Sequence, residues 1–118
     1  MGTVIHVEIT ADDTARAADF YATVLGWRSS PSPVIDGYLL ADSGEGGGID
    51  AAIMRREYQP QPVIAWVEVA DLAGVLAAVP AAGGSTLGET HTIPGEGMVA
   101  YIKDSEGNVL GLKQPVRA

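Results

Sequence analysis

The chain repeats itself, and the repeat limits what it can fold into. Val4-Ile5-His6-Val7-Glu8-Ile9 is followed by an Asp pair and an Ala-rich amphipathic stretch. About half a chain later Val63-Ile64-Ala65-Trp66-Val67-Glu68-Val69 is followed by Asp71 and another Ala-rich stretch. Repetition at this period implies two similar supersecondary units, each burying an apolar face that it cannot bury alone. In 118 residues there is room for one domain with a real core, not for two independent ones.

Residues 2–9 alternate. Ile5, Val7 and Ile9 form one face of a strand, and Val4, His6 and Glu8 the other. Asp12 and Asp13 suit a helix N-terminus. Ala17, Ala18, Phe20, Tyr21 and Leu25 make an apolar stripe over a helix from Thr14 to Leu25, and Gly26 is its stop. Trp27 begins a short strand that Ser29-Ser30-Pro31-Ser32-Pro33 breaks. Strands are expected over Val34–Ala41 and Ile49–Met54, joined by the flexible loop Gly44–Gly48. Tyr58-Gln59-Pro60-Gln61-Pro62 resists helix and is the expected link between halves.

The second half repeats the order. A strand over Ile64–Val69 leads to Asp71 as a cap. A helix over Leu72–Ala82 follows, frayed by Pro80 and stopped by Gly83-Gly84. Strands follow near 85–91, 98–103 and 109–114, and Asp104-Ser105-Glu106-Gly107-Asn108 has hairpin-turn chemistry. The expected architecture is α+β: tandem βαβββ modules, about 1–57 and about 62–118, in a curved mixed sheet around a cleft with the helices outside. Period two places Ile5, Val7, Ile9 and Ala65, Val67, Val69 under the helices. It turns His6, Glu8 and Ile64, Trp66, Glu68 toward the cleft.

Composition narrows the function. A net charge of −8 repels phosphate backbones and anionic membranes, so neither nucleic acid nor membrane is an expected partner. With no cysteine there is no disulfide, thiolate nucleophile or cysteine metal site. The N-terminus lacks a basic segment followed by a long apolar core, so a secretory signal is not expected, and the absence of cysteine agrees with the cytoplasmic location that is expected. The Gly-rich loop lacks a Walker lysine and is not a phosphate cradle. No nucleophile-elbow sequence is present.

Phe20-Tyr21-Ala22-Thr23-Val24-Leu25-Gly26-Trp27, Ile93-Pro94-Gly95-Glu96-Gly97 and Asp104–Leu112 together resemble the vicinal oxygen chelate superfamily. That group includes glyoxalase I, bleomycin-resistance proteins and extradiol dioxygenases. The resemblance spans essentially the whole chain and implies tandem βαβββ modules, commonly in homodimers. Metal-dependent members draw up to four ligands from the first and last strands of each module. His6 stands at the first place, Ala52 at the second (with Asp50 two residues away), Ile64 at the third and Gly111 at the fourth. A divalent ion normally needs three protein ligands. The chain therefore looks closest to a metal-poor, glyoxalase-like branch with no cofactor.

The leading expectation is a metal-free protein that binds a small apolar or aromatic molecule in the inter-module cleft. Its site residues would be His6, Glu8, Trp66, Glu68, Tyr38, Met54 and Tyr101. The alternative is a lyase, isomerase or dioxygenase-type enzyme acting on a small carbonyl or diol, with His6 and Asp50 or Glu8 as working groups. Glu8 and Glu68 are read as occupying similar places in the repeat. As a pair they make an acidic pocket or a base for proton abstraction, with His6, Glu8 and Glu68 the catalytic candidates. A third reading has the cleft filled by the protein's own side chains.

Overall fold

The computed structural model describes residues 2–44, 46 and 48–116. Its elements run β1 (Thr3–Ala11), α1 (Thr14–Leu25), β2 (Arg28–Pro31), β3 (Tyr38–Asp42) and β4 (Ala51–Arg55). Then come β5 (Val63–Glu68), α2 (Leu72–Ala78), a 3-10 turn at Pro80–Ala82, β6 (Ser85–Ile93), β7 (Gly97–Lys103) and β8 (Val109–Pro115). This is an α+β chain of two βαβββ repeats with mixed parallel and antiparallel strand pairing. No helix among the described residues is long and apolar enough to cross a membrane.

Contacts group the chain into two compact modules. The first is His6–Ile64. The second joins the described residues up to Ile5 with those from Ala65 onward. The division thus falls inside β1 and β5.

In the first module the strand order is β2-β3-β4-β1. β1 and β4 pair in parallel, and β4-β3 and β3-β2 are antiparallel. The Asp13 carboxylate accepts the Arg16 N–H and caps α1, and Gly26 closes the helix in the left-handed region at φ 73°. Val7 and Ile9 stand in register with Ala51 and Ile53, both buried.

The apolar stripe of α1 behaves differently from expectation. No residue of α1 is fully buried, and Phe20 and Leu25 are 58% and 54% exposed. At about 100° per residue, Phe20 and Val24 fall to one side of the Ala18–Tyr21–Leu25 line. The helix rests on its small residues and on Tyr21, whose ring stacks on Trp27 at 4.9 Å.

Two strand boundaries also differ. Ser29-Ser30-Pro31 is itself strand, paired with Leu39–Ala41. A proline is tolerated there because β2 is the last strand of this order. Val34–Gly37 is a turn, not strand. The Ser32 hydroxyl oxygen accepts the N–H groups of Val34 and Ile35 at 3.1 and 3.0 Å, and the Ser32 N–H donates to the Tyr38 carbonyl.

The second module has the order β5-β8-β7-β6, with β5 and β8 parallel and the rest antiparallel. Asp71 caps α2 by accepting the Gly74 N–H, as Asp13 does for α1. Val69, Leu72, Ala100, Ile102 and Leu112 form the core, with Val67, Val75, Leu76 and Val79 packed against it. Fully burying a side chain such as Leu72 contributes roughly 1.5–3 kcal/mol. Here period two holds: Val67 and Val69 lie under the helix.

Candidate functional site

Alternation along β1 sets His6, Glu8 and Thr10 on the face opposite Val7 and Ile9. The parallel register places Ala52 beside Glu8 and Met54 beside Thr10, and Tyr38 lies across from Met54. These residues meet. The Tyr38 hydroxyl donates to Glu8 Oε2 at 2.7 Å, and His6 Nε2 lies 3.2 Å from the same hydroxyl oxygen. Glu8 is 2% exposed and Tyr38 8%, while His6 is half-buried. A carboxylate this deep is tolerated only when hydrogen-bonded, and the O–H···O distance is that of a charge-assisted bond. Met54 and Ala52, both buried, give the face its apolar floor.

The edge of this face is closed by Thr10. Its hydroxyl donates to the Gln61 carbonyl at 3.0 Å and accepts Arg56 Nε at 3.2 Å, and Arg56 also pairs with Asp12. Asp50, expected as a partner of His6, is engaged in the preceding loop, where its Oδ1 accepts the Ser43 N–H and hydroxyl at 3.1 and 3.2 Å. The Gly-rich loop reading includes Glu45 and Gly47, which lie outside the described residues.

In the second module the corresponding face is aromatic. Trp66 stands beside Gly111 and packs edge-on against Tyr101 at 5.2 Å. Its ring covers Gly111 so closely that a Cβ there would lie 2.2 Å from Trp66 Cδ2. Trp66 is 8% exposed. Among the described residues, its Nε1 is the one buried side-chain nitrogen or oxygen without a hydrogen-bond partner. Glu68 is half-buried and stands in register beside Lys113, whose Nζ pairs with Glu96 at 3.2 Å.

These registers correct the alignment of the two repeats. Superposing the caps Asp13 and Asp71 brings His6 onto Ile64, Glu8 onto Trp66 and Thr10 onto Glu68. The strand pairs agree, since Glu8 stands beside Ala52 and Trp66 beside Gly111. Glu8 and Glu68 are therefore not equivalent. The Val7-Glu8 and Val67-Glu68 pairs that the two strands share are two residues out of step with the caps.

Sequence reasoning brought His6, Glu8, Tyr38 and Met54 together, but not the hydrogen bonds that join three of them. It missed Thr10, a buried polar residue with no motif around it. Trp27 is taken up in stacking on Tyr21. His91 lies within β6 opposite Val99 and is exposed.

The sequence profile of the Glyoxalase/Bleomycin resistance protein/Dioxygenase superfamily matches residues 3–112. The chain belongs to this superfamily. Among solved structures it is similar to methylmalonyl-CoA epimerase from Mycobacterium tuberculosis, with TM-score 0.69 and 17% identity over 97% of this chain and 88% of that one. It is similar to a Streptomyces coelicolor methylmalonyl-CoA epimerase variant in complex with 2-nitronate-propionyl-CoA, with TM-score 0.68 and 16% identity over 97% of both chains. A hypothetical protein from Bacillus halodurans gives TM-score 0.70 and 12% identity over 99% of this chain and 96% of that one. At these identities the likeness carries the fold alone. No curated protein sequence matches the chain significantly.

The superfamily's metal places can be tested against the residues present. His6 carries a donor, but its Nε2 lies against Tyr38. Ala52 and Ile64 are apolar and fully buried. Gly111 has no side chain, and Trp66 fills the space one would need. Among the described residues no group of three or more His, Cys, Asp or Glu could hold a metal ion. The donor set does not fit a divalent ion at these places.

Proposed function

We propose that this chain is a metal-independent, small-molecule-binding member of the superfamily, with His6, Tyr38 and Glu8 as the polar anchor of its site. One observation carries the reading: a carboxylate sealed at 2% exposure, reached through a tyrosine hydroxyl from a half-buried imidazole, on a face floored by Ala52 and Met54. Such a face suits an organic molecule with an apolar or aromatic body and one polar group that meets His6. Trp66 and Tyr101 supply an aromatic surface of the second module that suits the same chemistry. The test is native mass spectrometry of tag-free protein purified without chelator. The expected species is the polypeptide alone or with an organic adduct that activation removes and His6→Ala weakens. A stoichiometric zinc, nickel, iron or manganese ion sinks the reading.

A second reading is favoured by the same hydrogen-bond chain. An imidazole backed by a tyrosine and a buried carboxylate can act as a general base, so the chain would move a proton on a small carbonyl compound. The solved relatives include epimerases. Incubation in D2O with methylmalonyl-CoA and simpler acidic carbonyl compounds tests it. Deuterium wash-in that His6→Ala abolishes supports catalysis, and wash-in no faster than in buffer rejects it for those substrates.

Homodimer formation and a cytoplasmic location belong to the same reading. Light scattering tests the first, with an expected mass of twice 12.2 kDa. A mass of one chain refutes it.

A further inference from the structure

The last strands of the two modules end differently. In the first, Arg55 at the end of β4 lays its guanidinium across Gly37, where any Cβ would collide with it. Ala52 matches Gly111 by strand register, so Arg55 matches Gln114 of β8. Gln114 is shorter and reaches elsewhere: its Oε1 accepts the Leu72 N–H at 2.8 Å. A cavity of about 270 Å³ opens beside it, between Thr92 and Ile93 of β6, Gly97 and Met98 of β7, and Gln114 and Pro115 of β8. The second module builds it alone.

Thr92, Met98 and Gln114 stand in register on neighbouring strands. Met98 also packs against the apolar core under α2. No residue lining the cavity is charged, and its polar side chains are the Thr92 hydroxyl and the Gln114 amide. A backbone N–H only donates, so Leu72 fixes which end of that amide is oxygen. Nε2, a donor, is left without a partner among the described residues.

We propose that this cavity is a ligand site of its own, for a neutral molecule with a small aromatic body and a carbonyl oxygen that accepts from Gln114 Nε2. An apolar cavity of about 150 Å³ holds benzene, so this one suits roughly ten non-hydrogen atoms. Ile93 and Pro115 give apolar walls, and the flexible Met98 thioether suits the edge of an aromatic ring. An anion would leave water with no cation in the lining to offset the loss, and against a net charge of −8. A cation would meet a donor and no carboxylate. The inference goes beyond the His6–Tyr38–Glu8 site and does not rest on it.

Acetophenone, ethylbenzene and benzoate share a ring and differ in the group it carries. Each is titrated into the whole protein, labelled at the methionine methyls and at nitrogen, and followed by 1H–13C and 1H–15N spectra. A Met98→Leu variant assigns the Met98 methyl. Acetophenone is expected to shift that methyl, the Gln114 side-chain amide and the Gly95 and Gly97 amides along one saturable curve. Ethylbenzene should bind about fivefold more weakly, through loss of one neutral hydrogen bond, and benzoate more weakly than acetophenone. Thr92 is exposed, so Thr92→Trp should fill the cavity and abolish the shifts while the amide spectrum stays that of a folded protein. Gln114→Met should erase the preference for acetophenone over ethylbenzene. No saturable shift of these resonances with acetophenone overturns the proposal. So does ethylbenzene or benzoate binding as tightly, or unchanged binding in a folded Thr92→Trp variant. If a variant does not fold, the three probes on the wild type decide. Acetophenone shifts confined to His6, Tyr38 and Trp66 overturn this site while leaving the proposed function standing, so the two fail separately.

Discussion

Tyr38 reaches from β3 to Glu8 on β1, thirty residues away, and donates its hydroxyl to a carboxylate that is almost wholly buried, at 2.7 Å. The pair makes the first module's face polar at its centre while Ala52 and Met54 keep its surroundings apolar.

Removing the donor takes a short hydrogen bond from a buried carboxylate. Tyr38→Phe is expected to destabilise the protein by about 1–3 kcal/mol. A double-mutant cycle with Glu8→Ala, which removes the acceptor, should show coupling of about 0.5 kcal/mol or more, measured by urea unfolding. Additive effects would contradict a working hydrogen bond between them.

Gly111 and Trp66 should be coupled as well. A Cβ at residue 111 would lie 2.2 Å from the indole, so Gly111→Ala should cost about 1–3 kcal/mol through overpacking. In a Trp66→Leu background the added methyl has room, and most of that cost should disappear. Equal costs in both backgrounds would mean the ring does not occupy that space.

Asp104 organises the β7–β8 turn. Its carboxyl lies below the usual carboxylate range, first because it accepts the Asn108 backbone N–H and next that of Glu106. A depressed carboxylate stabilises the fold above its unfolded titration and loses that contribution as pH falls through the folded value. Asp104→Ala should therefore lower the melting temperature at neutral pH and flatten its fall on acidification below the usual carboxylate range. An unaltered acid profile in the variant would rule the turn out as a source of that dependence.

Helix α1 exposes what its stripe was expected to bury. Phe20→Ala should cost less than about 1 kcal/mol, in keeping with its 58% exposure, whereas Ile53→Ala at 0% should cost about 2–5 kcal/mol. Comparable losses in chemical denaturation would place Phe20 in the core after all.

The fold was legible where chemistry is local. Asp13 and Asp71 announce their helices, Gly26 ends the first, and alternation in Val67-Glu68-Val69 gives the buried face. The errors came where tertiary context decides. Pro31 reads as a break, yet it is tolerated on a strand with one open edge. Phe20 fits the helical period but lies off the packed line. The matching Val-Glu pairs of the two halves suggested equivalent glutamates, and only the strand register shows Glu8 aligned with Trp66. At the site, Glu8, His6 and Tyr38 were each legible as candidates. Their contact was not, because it depends on β3 folding back beside β4 and on a side chain reaching across to β1.

The account rests on a polar anchor in place of a metal centre, and metal content tests it most directly. Elemental analysis of tag-free protein purified without chelator, read against protein concentration, should give far less than one zinc, nickel, iron or manganese per chain. One bound ion per chain, lost together with His6 in a His6→Ala variant, would contradict it.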